Sequence, residues 1–431
     1  MVMVQVHVLL HAGMLGMSDP WIAGARAKWT SLACTNSLDS LGLFARAASS
    51  RVCPADMAPS YKALTMDEGA ASVWSALDNH YDASAVEGFS DEAYTEMLED
   101  ESRTPVFAKA IRARLAKSPE RTLTILDIGT GPFAILSLLA AEAGARKVYA
   151  MEVNPEAARR ARETITAAGW SDVIEVLEGF STSLELPEKV DVVVSEIIGS
   201  IASEEGVQAT IQDAHARFVK EPEAADSWLP CRVETWCVPA SYALHAALAP
   251  PRYGWGQVGE PLRLQCNDTS LLALSTPQRL EDISFTDGAP AAAPTILSFP
   301  ISEERLEHNE GVYHAALLER GLQQDAAAVH ARRAARGLSG LAMWPRLLFP
   351  ATDIADSADG ADGADALVVD SRGPGSGGTS AAPGRSAWQT VLPLLHDRPL
   401  TVEPGDVVRT HVTVELPHDE DESIWYTVEF G

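Results

Sequence analysis

The sequence has little of what membranes, nucleic acids or oxidising compartments demand. No run of about 18 uninterrupted apolar residues occurs, so no spanning helix is expected. Positive charge is scarce: 33 Lys and Arg stand against 60 Asp and Glu, leaving a net charge of −27 with no local basic patch. Such a chain repels phosphate backbones and anionic lipid. Neither nucleic acid nor a membrane is therefore expected as a direct partner, and cationic partners are favoured. Cysteine is sparse as well. The five present, Cys34, Cys53, Cys231, Cys237 and Cys266, are odd in number and show no CxxC spacing, which argues against a disulfide framework and against a metal site. That usage fits a reducing compartment, cytoplasmic and/or nuclear. The apolar opening from Val2 to Met17 lacks the Lys or Arg flank that an export signal carries.

What remains is an ordinary globular composition, 46% apolar and 22% charged over 431 residues, long enough for two to three domains. Residues 1–70 show no sustained periodicity and are expected to be a poorly ordered leader or extension. A helical pattern runs from Asp91 to Lys117. Thr122–Ile128 is a β-rich run ending in Gly129-Thr130-Gly131, and Pro132 is expected in the first turn of a helix that Gly144 stops. Lys147–Glu152 is the next strand. Asn154-Pro155 opens a helix that ends near Gly169. Strands at Val173–Leu177 and Val190–Ser195 and a helix at Glu204–Val219 follow. This alternation predicts an α/β domain over 71–227, a parallel Rossmann-like sheet with helices on both faces. Over 228–431 the texture changes to short alternating runs at Arg232–Val238, Val391–Leu395, Val407–Leu416 and Trp425–Phe430. They predict a mostly antiparallel β domain, interrupted by a helical stretch at about 303–336 and by a disordered low-complexity insertion at about 355–385.

In an open parallel sheet, ligands bind beyond the carboxyl ends of the strands. Gly129 and Gly131 stand at that edge, and Glu152 follows Gly131 by 21 residues, close to the offset of a ribose-binding carboxylate. Taken alone, the same residues also describe an ordinary tight turn with an exposed acid at a strand end. A dinucleotide would present a pyrophosphate and ask for a third glycine, yet that position is Ala134, preceded by Pro132 and Phe133. S-adenosylmethionine has no phosphate to admit, so the methyl donor is favoured over nicotinamide.

At this point the residues resemble those of the protein arginine methyltransferases. Asp127-Ile-Gly-Thr-Gly131 with Ile135-Leu-Ser137, Ala143-Gly144-Ala145-Arg146-Lys147-Val148 and Glu152 resembles that family's cofactor motif. Glu96-Met97-Leu98-Glu99-Asp100-Glu101-Ser102-Arg103-Thr104 resembles its closing helix. Glu196 and Glu205 lie at the spacing of its double-glutamate loop. Ser386-Ala387-Trp388-Gln389-Thr390-Val391 resembles its threonine–histidine–tryptophan loop. These motifs occur in the family's order from about residue 80 to the end. The resemblance implies a Rossmann-like methyltransferase domain followed by a β-barrel, with S-adenosyl-L-methionine as cofactor and no metal. It implies that Arg103, Asp127, Gly129, Gly131 and Glu152 serve the cofactor, and that Met97 and Trp388 line the substrate pocket. It implies Glu196 and Glu205 as the catalytic pair, with basic or Arg/Gly-rich proteins as substrates. A homodimer through an arm at about 242–272 is a further implication. Methionine at position 97 accompanies monomethylation or asymmetric dimethylation in relatives. The histidine of the last motif is Ala387 here, although its acidic partner remains as Asp100.

The chemistry gives the acid pair an independent reason. A guanidinium is planar, permanently charged and a poor nucleophile. Two carboxylates can hold its plane and draw positive charge away from the attacking nitrogen. Two other functions stay open at this level: a methyltransferase acting on another acceptor, and a catalytically silent relative that binds cofactor or partners.

Overall fold

The computed structural model describes residues 70–75, 97, 100, 102–118, 120, 122–245, 261–290, 293–351, 366–372, 386–396, 398–416 and 424–430. All of the 1–70 leader but its last residue, and residues 246–260 of the expected dimer arm, lie outside them.

The five-stranded parallel sheet is built from β2 (Thr124–Ile128), β3 (Lys147–Glu152), β4 (Ile174–Glu178), β5 (Val192–Ser195) and β6 (Trp228–Leu229), in the order β4-β3-β2-β5-β6. β2 and β5 are buried along their whole length, as strands covered on both faces must be. Local chemistry sets the helix ends. Asn154 Oδ1 accepts from the amides of Glu156 and Ala157, both at 3.0 Å, and Pro155 stands at the first helical position of α3 (Pro155–Ala168), which Gly169 ends at φ 79°. α2 (Ile135–Glu142) departs from expectation. Pro132 lies in the turn before it, and Ala134 caps it at φ 46°, ψ 40°, a left-handed conformation at the place where a third glycine was sought. The helix predicted at Glu204–Val219 begins later, as α4 (Val207–Arg217) behind a left-handed Gly206, which leaves both glutamates of 204–205 on the preceding turn. On the other flank, the helical pattern at 91–117 resolves into α1 (Thr104–Ala116).

The second domain is antiparallel. Its larger sheet runs β10-β7-β13-β15-β8, formed by β7 (Arg232–Tyr242), β8 (Leu262–Gln265), β10 (Gln278–Ser284), β13 (Gly340–Ala351) and β15 (Gln389–Leu392). The smaller sheet runs β1-β18-β17-β11, from β1 (Ala70–Ser75), β11 (Thr295–Pro300), β17 (Val407–Glu415) and β18 (Trp425–Phe430). One apolar core joins them: Cys237, Met343 and Val391 from one sheet meet Phe299, Val412, Tyr426 and Phe430 from the other. The expected helical stretch is a hairpin of α5 (Glu303–Glu319) and α6 (Gln324–Ala335).

Two boundaries need correction. The strand Ala70–Ser75, placed by sequence at the junction of the leader and the parallel-sheet domain, pairs antiparallel with the last strand of the barrel. Its partner lies more than 350 residues away, beyond the reach of any local pattern. The insertion at 355–385, expected to be disordered, contains β14 (Ala366–Asp370), paired with β13. Its Ala-Leu-Val-Val-Asp run is strand-forming, and the surrounding Gly, Ser and Asp diluted that signal. The two domains are tied by packed aromatics: Phe107 of α1 meets Phe349 of β13 edge-to-face at 4.9 Å, and Trp228 of β6 meets Phe285 at 5.9 Å. Among the described residues, no helix is long and apolar enough to cross a membrane, and no cluster of His, Cys, Asp or Glu is arranged to hold a metal ion.

Candidate active site at the switch point of the parallel sheet

Chain order reverses direction in the sheet between β2 and β5, since β3 and β4 extend one way and β5 and β6 the other. The loops leaving β2 and β5 at their carboxyl ends therefore part to either side and open a crevice. The first carries Gly129–Gly131 and the second begins with Glu196.

On the cofactor side, Gly129 and Gly131 take φ 78° and 64°. A Cβ on Gly129 would stand 2.8 Å from Cγ2 of Ile197, so the two loops approach more closely than any side chain at 129 allows. Glu152 ends β3, nearly buried, and its carboxylate accepts from the amides of Gly131 at 2.8 Å and Asn154 at 2.9 Å. Burial raises its pKa while those amides lower it. Asp127 is buried beneath the loop. Its Oδ2 accepts from the hydroxyls of Thr130 at 2.7 Å and Ser137 at 2.6 Å, whereas its Oδ1 has no partner, and burial pushes its carboxyl up to about 6. Through these two hydroxyls Asp127 ties the glycine loop to α2. Gly129→Ala is expected to cost about 1–2 kcal/mol through the left-handed backbone alone. Thermal unfolding should show the loss, and cofactor affinity should fall with it.

The acceptor side is the loop from Glu196 to Glu205. Glu196 is partly buried and ion-paired with Arg103, and desolvation raises its pKa against the lowering effect of that cation. Arg103 also donates from Nη2 to the Met97 carbonyl at 2.9 Å, and its guanidinium lies 5.6 Å from the Trp388 ring centre. The sequence assigned Arg103 to the cofactor. In the structure its guanidinium pairs with the acceptor acid Glu196, at the edge of the crevice that the glycine loop lines. Met97 enters through its carbonyl.

The two adjacent glutamates separate by environment. Glu204 is almost fully buried and committed: it accepts from the amides of Ser200 and Ile201 and pairs with Arg263. Glu205 is partly exposed and has no hydrogen-bond or ion-pair partner among the described residues. Burial, with Glu196 and Glu204 as like-charged neighbours, pushes its carboxyl up to about 8 from an ordinary 4.5. A group that binds its proton more tightly when folded stabilises the protein fully below the unfolded value and loses that contribution as pH rises through the folded one. Relative to wild type, Glu205→Gln should therefore raise the melting temperature at pH 8.5 and leave it unchanged at pH 4. Calorimetric scans at the two pH values check the sign.

The barrel holds this loop at successive residues. Trp388 Nε1 donates to the Ile198 carbonyl at 2.7 Å, and the Gln389 amide donates to Ser200 Oγ at 3.1 Å. The Ala202 amide donates to Thr235 Oγ1 at 2.9 Å, and Ser203 shares a 2.9 Å hydrogen bond with the Tyr426 hydroxyl. Asp100 completes the enclosure. Although the histidine is absent, its Oδ2 accepts from the Ala387 amide at 2.8 Å and from Ser386 Oγ at 3.2 Å, while its Oδ1 accepts from the Ser102 and Arg103 amides. Backbone and serine thus take the place of an imidazole in joining the closing segment to the Trp388 loop. Ser200, Thr235, Arg263 and Tyr426 were not found by sequence reasoning. They are common residue types on four separate segments, and no spacing rule links them.

A profile of the family described as PRMT5 arginine-N-methyltransferase matches residues 85–224. The chain is 36% identical over 139 residues to protein arginine N-methyltransferase PRMT10 of Arabidopsis thaliana, covering 31% of this chain and 35% of that protein. It is 31% identical over 156 residues to protein arginine N-methyltransferase 7 of Mus musculus, covering 34% and 22% respectively. The matches span about a third or less of the length of these curated relatives. Among solved structures, a Trypanosoma brucei PRMT1 enzyme–prozyme heterotetrameric complex with AdoHcy superposes with a TM-score of 0.53 at 18% identity, covering 79% of this chain and 92% of that one. An open conformation of Arabidopsis thaliana protein arginine methyltransferase 10 gives 0.52 at 19% identity, covering 78% and 92%. At these identities the likeness shows the fold, a Rossmann-like domain followed by a barrel.

Proposed function

We propose that this chain, whose residues 85–224 match the family described as PRMT5 arginine-N-methyltransferase, is an enzyme that transfers a methyl group from S-adenosyl-L-methionine to a guanidinium nitrogen of arginine in basic or Arg/Gly-rich proteins. The observation that carries this reading is Glu205, without a partner among the described residues, beside Glu196 at the switch-point crevice. Two carboxylates converge there where one fixed cation, Arg103, occupies only one of them. An incoming guanidinium supplies the missing charge and the planar set of donors that Glu205 lacks.

The residues on the other side fit the cofactor. The loop at Gly129 admits no side chain, the carboxylate of Glu152 stands beside it at the offset of a ribose ligand, and Ala134 stands where a dinucleotide would ask for a third glycine. Gly129, Gly131, Glu152 and Arg103 would hold it. When bound, the cofactor supplies an electrophilic methyl on a sulfonium. The chain's own part is to fix the guanidinium plane between Glu196 and Glu205 and to withdraw charge from the nitrogen that attacks. The barrel contacts to Ile198, Ser200, Ala202 and Ser203 keep those two acids in place, so positioning and electrostatics carry the rate. Assembly into oligomers through the barrel arm belongs to the same proposal, as does residence in cytoplasm or nucleus.

Calorimetry with the demethylated cofactor product, beside NADH, tests the cofactor assignment. Incubation with methyl-labelled cofactor and an arginine-bearing peptide tests the reaction. Label in acid-stable methylarginine is expected; binding of NADH alone would discard the proposal.

A further inference from the structure

Among the barrel's holds on the acid loop, one is ionic. Arg263, on β8, directs both Nη atoms to the carboxylate of Glu204, at 3.3 Å for Nη1 and closer for Nη2. Glu204 in turn accepts from the amides of Ser200 at 3.1 Å and Ile201 at 3.4 Å, so one carboxylate ties the turn of the loop to a barrel strand. The fit is close: a Cβ on Gly199 would stand 2.6 Å from the Cβ of Glu204. Arg263 lies opposite Val391 in the β8–β15 ladder, the strand that follows Trp388. The same ribbon therefore holds Ile198 through the indole and the 200–204 turn through the guanidinium.

We propose that Arg263 is the positioning residue for Glu205: acting through Glu204, it fixes the end of the acid loop and balances the buried negative charge next to the acid that meets the substrate. Its purpose in catalysis rests on the methyl-transfer reading above, whereas its electrostatic effect does not. The charged groups that face Glu205 are Glu196, Glu204, Arg103 and Arg263. Arg103 is engaged by Glu196, which leaves Arg263 as the cation that offsets Glu204. Without Arg263, the Glu204 charge is uncompensated one residue away, and Glu205 holds its proton to higher pH. Without the Glu204 charge, Arg263 remains as a free cation nearby, and Glu205 gives up its proton earlier. With both removed, the two effects cancel. A contact that served only to fold the loop would not produce opposite signs.

The test is a titration of the full chain by NMR with isotope-labelled glutamate carboxyls, Glu205 being assigned by its loss in Glu205→Gln. Arg263→Met is expected to raise the Glu205 midpoint by roughly one pH unit, Glu204→Gln to lower it by roughly one, and the double variant to return near wild type. The acid limb of the kcat/KM profile for methyl transfer should move in the same directions. If Arg263→Met fails to fold, Arg263→Gln, which keeps a polar head against Glu204 without the charge, decides: a raised midpoint supports the proposal, and an unmoved one overturns it. A Glu205 midpoint indifferent to both changes overturns it whatever the activity. Absence of methyl transfer by the wild type would instead remove the proposed function and leave the titration result standing.

Discussion

Glu205→Gln and Glu196→Gln should each lower methyl transfer to an arginine peptide by about 10²–10³-fold while leaving cofactor affinity within about twofold, on the scale seen when one charge-stabilising group is removed from an active site. Glutamine keeps the volume and one acceptor oxygen but loses the negative charge. It can still hydrogen-bond a guanidinium, yet it cannot draw positive charge from the attacking nitrogen. The two variants should differ in the free protein. Glu205 has no partner among the described residues, so its amide replaces a carboxyl that resists ionisation without orphaning a partner. Glu196 is paired with Arg103, so its amide leaves a nearly buried guanidinium short of charge. Glu196→Gln should therefore also lower thermal stability, and Glu205→Gln should not. Normal turnover in both variants would show that the acids do not act on the acceptor.

Glu152→Ala should weaken cofactor binding by about 1–3 kcal/mol, or roughly ten- to hundredfold, the range for a lost charged hydrogen-bonding partner. The carboxylate already holds two backbone amides of the crevice wall, at Gly131 and Asn154. Removing it therefore loosens the wall as well as deleting a ligand. Glu152→Gln retains an acceptor and should fall between wild type and alanine. Isothermal calorimetry with the demethylated product orders the three proteins, and equal affinities would sink the assignment.

The legible parts of the site were those fixed by short-range chemistry. A glycine pair after a strand, an acid at the end of the next and an N-cap followed by proline are local rules, and the structure realises each of them. The family resemblance points to Glu205, nine residues after Glu196, and not to its neighbour Glu204. The structure supplies a physical reason, since Glu204 is taken by two amides and Arg263. What could not be read was long-range partnership. The pairing of residues 70–75 with the last strand, the Arg103–Glu196 bridge and the Asp100 contacts at Ser386 and Ala387 each join segments far apart in the chain. Neither periodicity nor composition carries such information. In the sequence, Ala387 in place of the loop histidine leaves Asp100 without its expected partner. In space, a main-chain amide and a serine hydroxyl satisfy the same carboxylate, a substitution that side-chain identity at 387 cannot reveal.

The most direct measurement compares two peptides that differ at one position, arginine in one and lysine in the other, incubated with the enzyme and methyl-labelled cofactor. A planar, permanently charged guanidinium can engage Glu196 and Glu205 together, whereas a compact ammonium cannot span them in the same plane. The account predicts label in the arginine peptide, recovered as methylarginine, near-background label in its lysine twin, and loss of the arginine signal in Glu205→Gln. Equal labelling of both peptides, or labelling of arginine that survives Glu205→Gln, would contradict it.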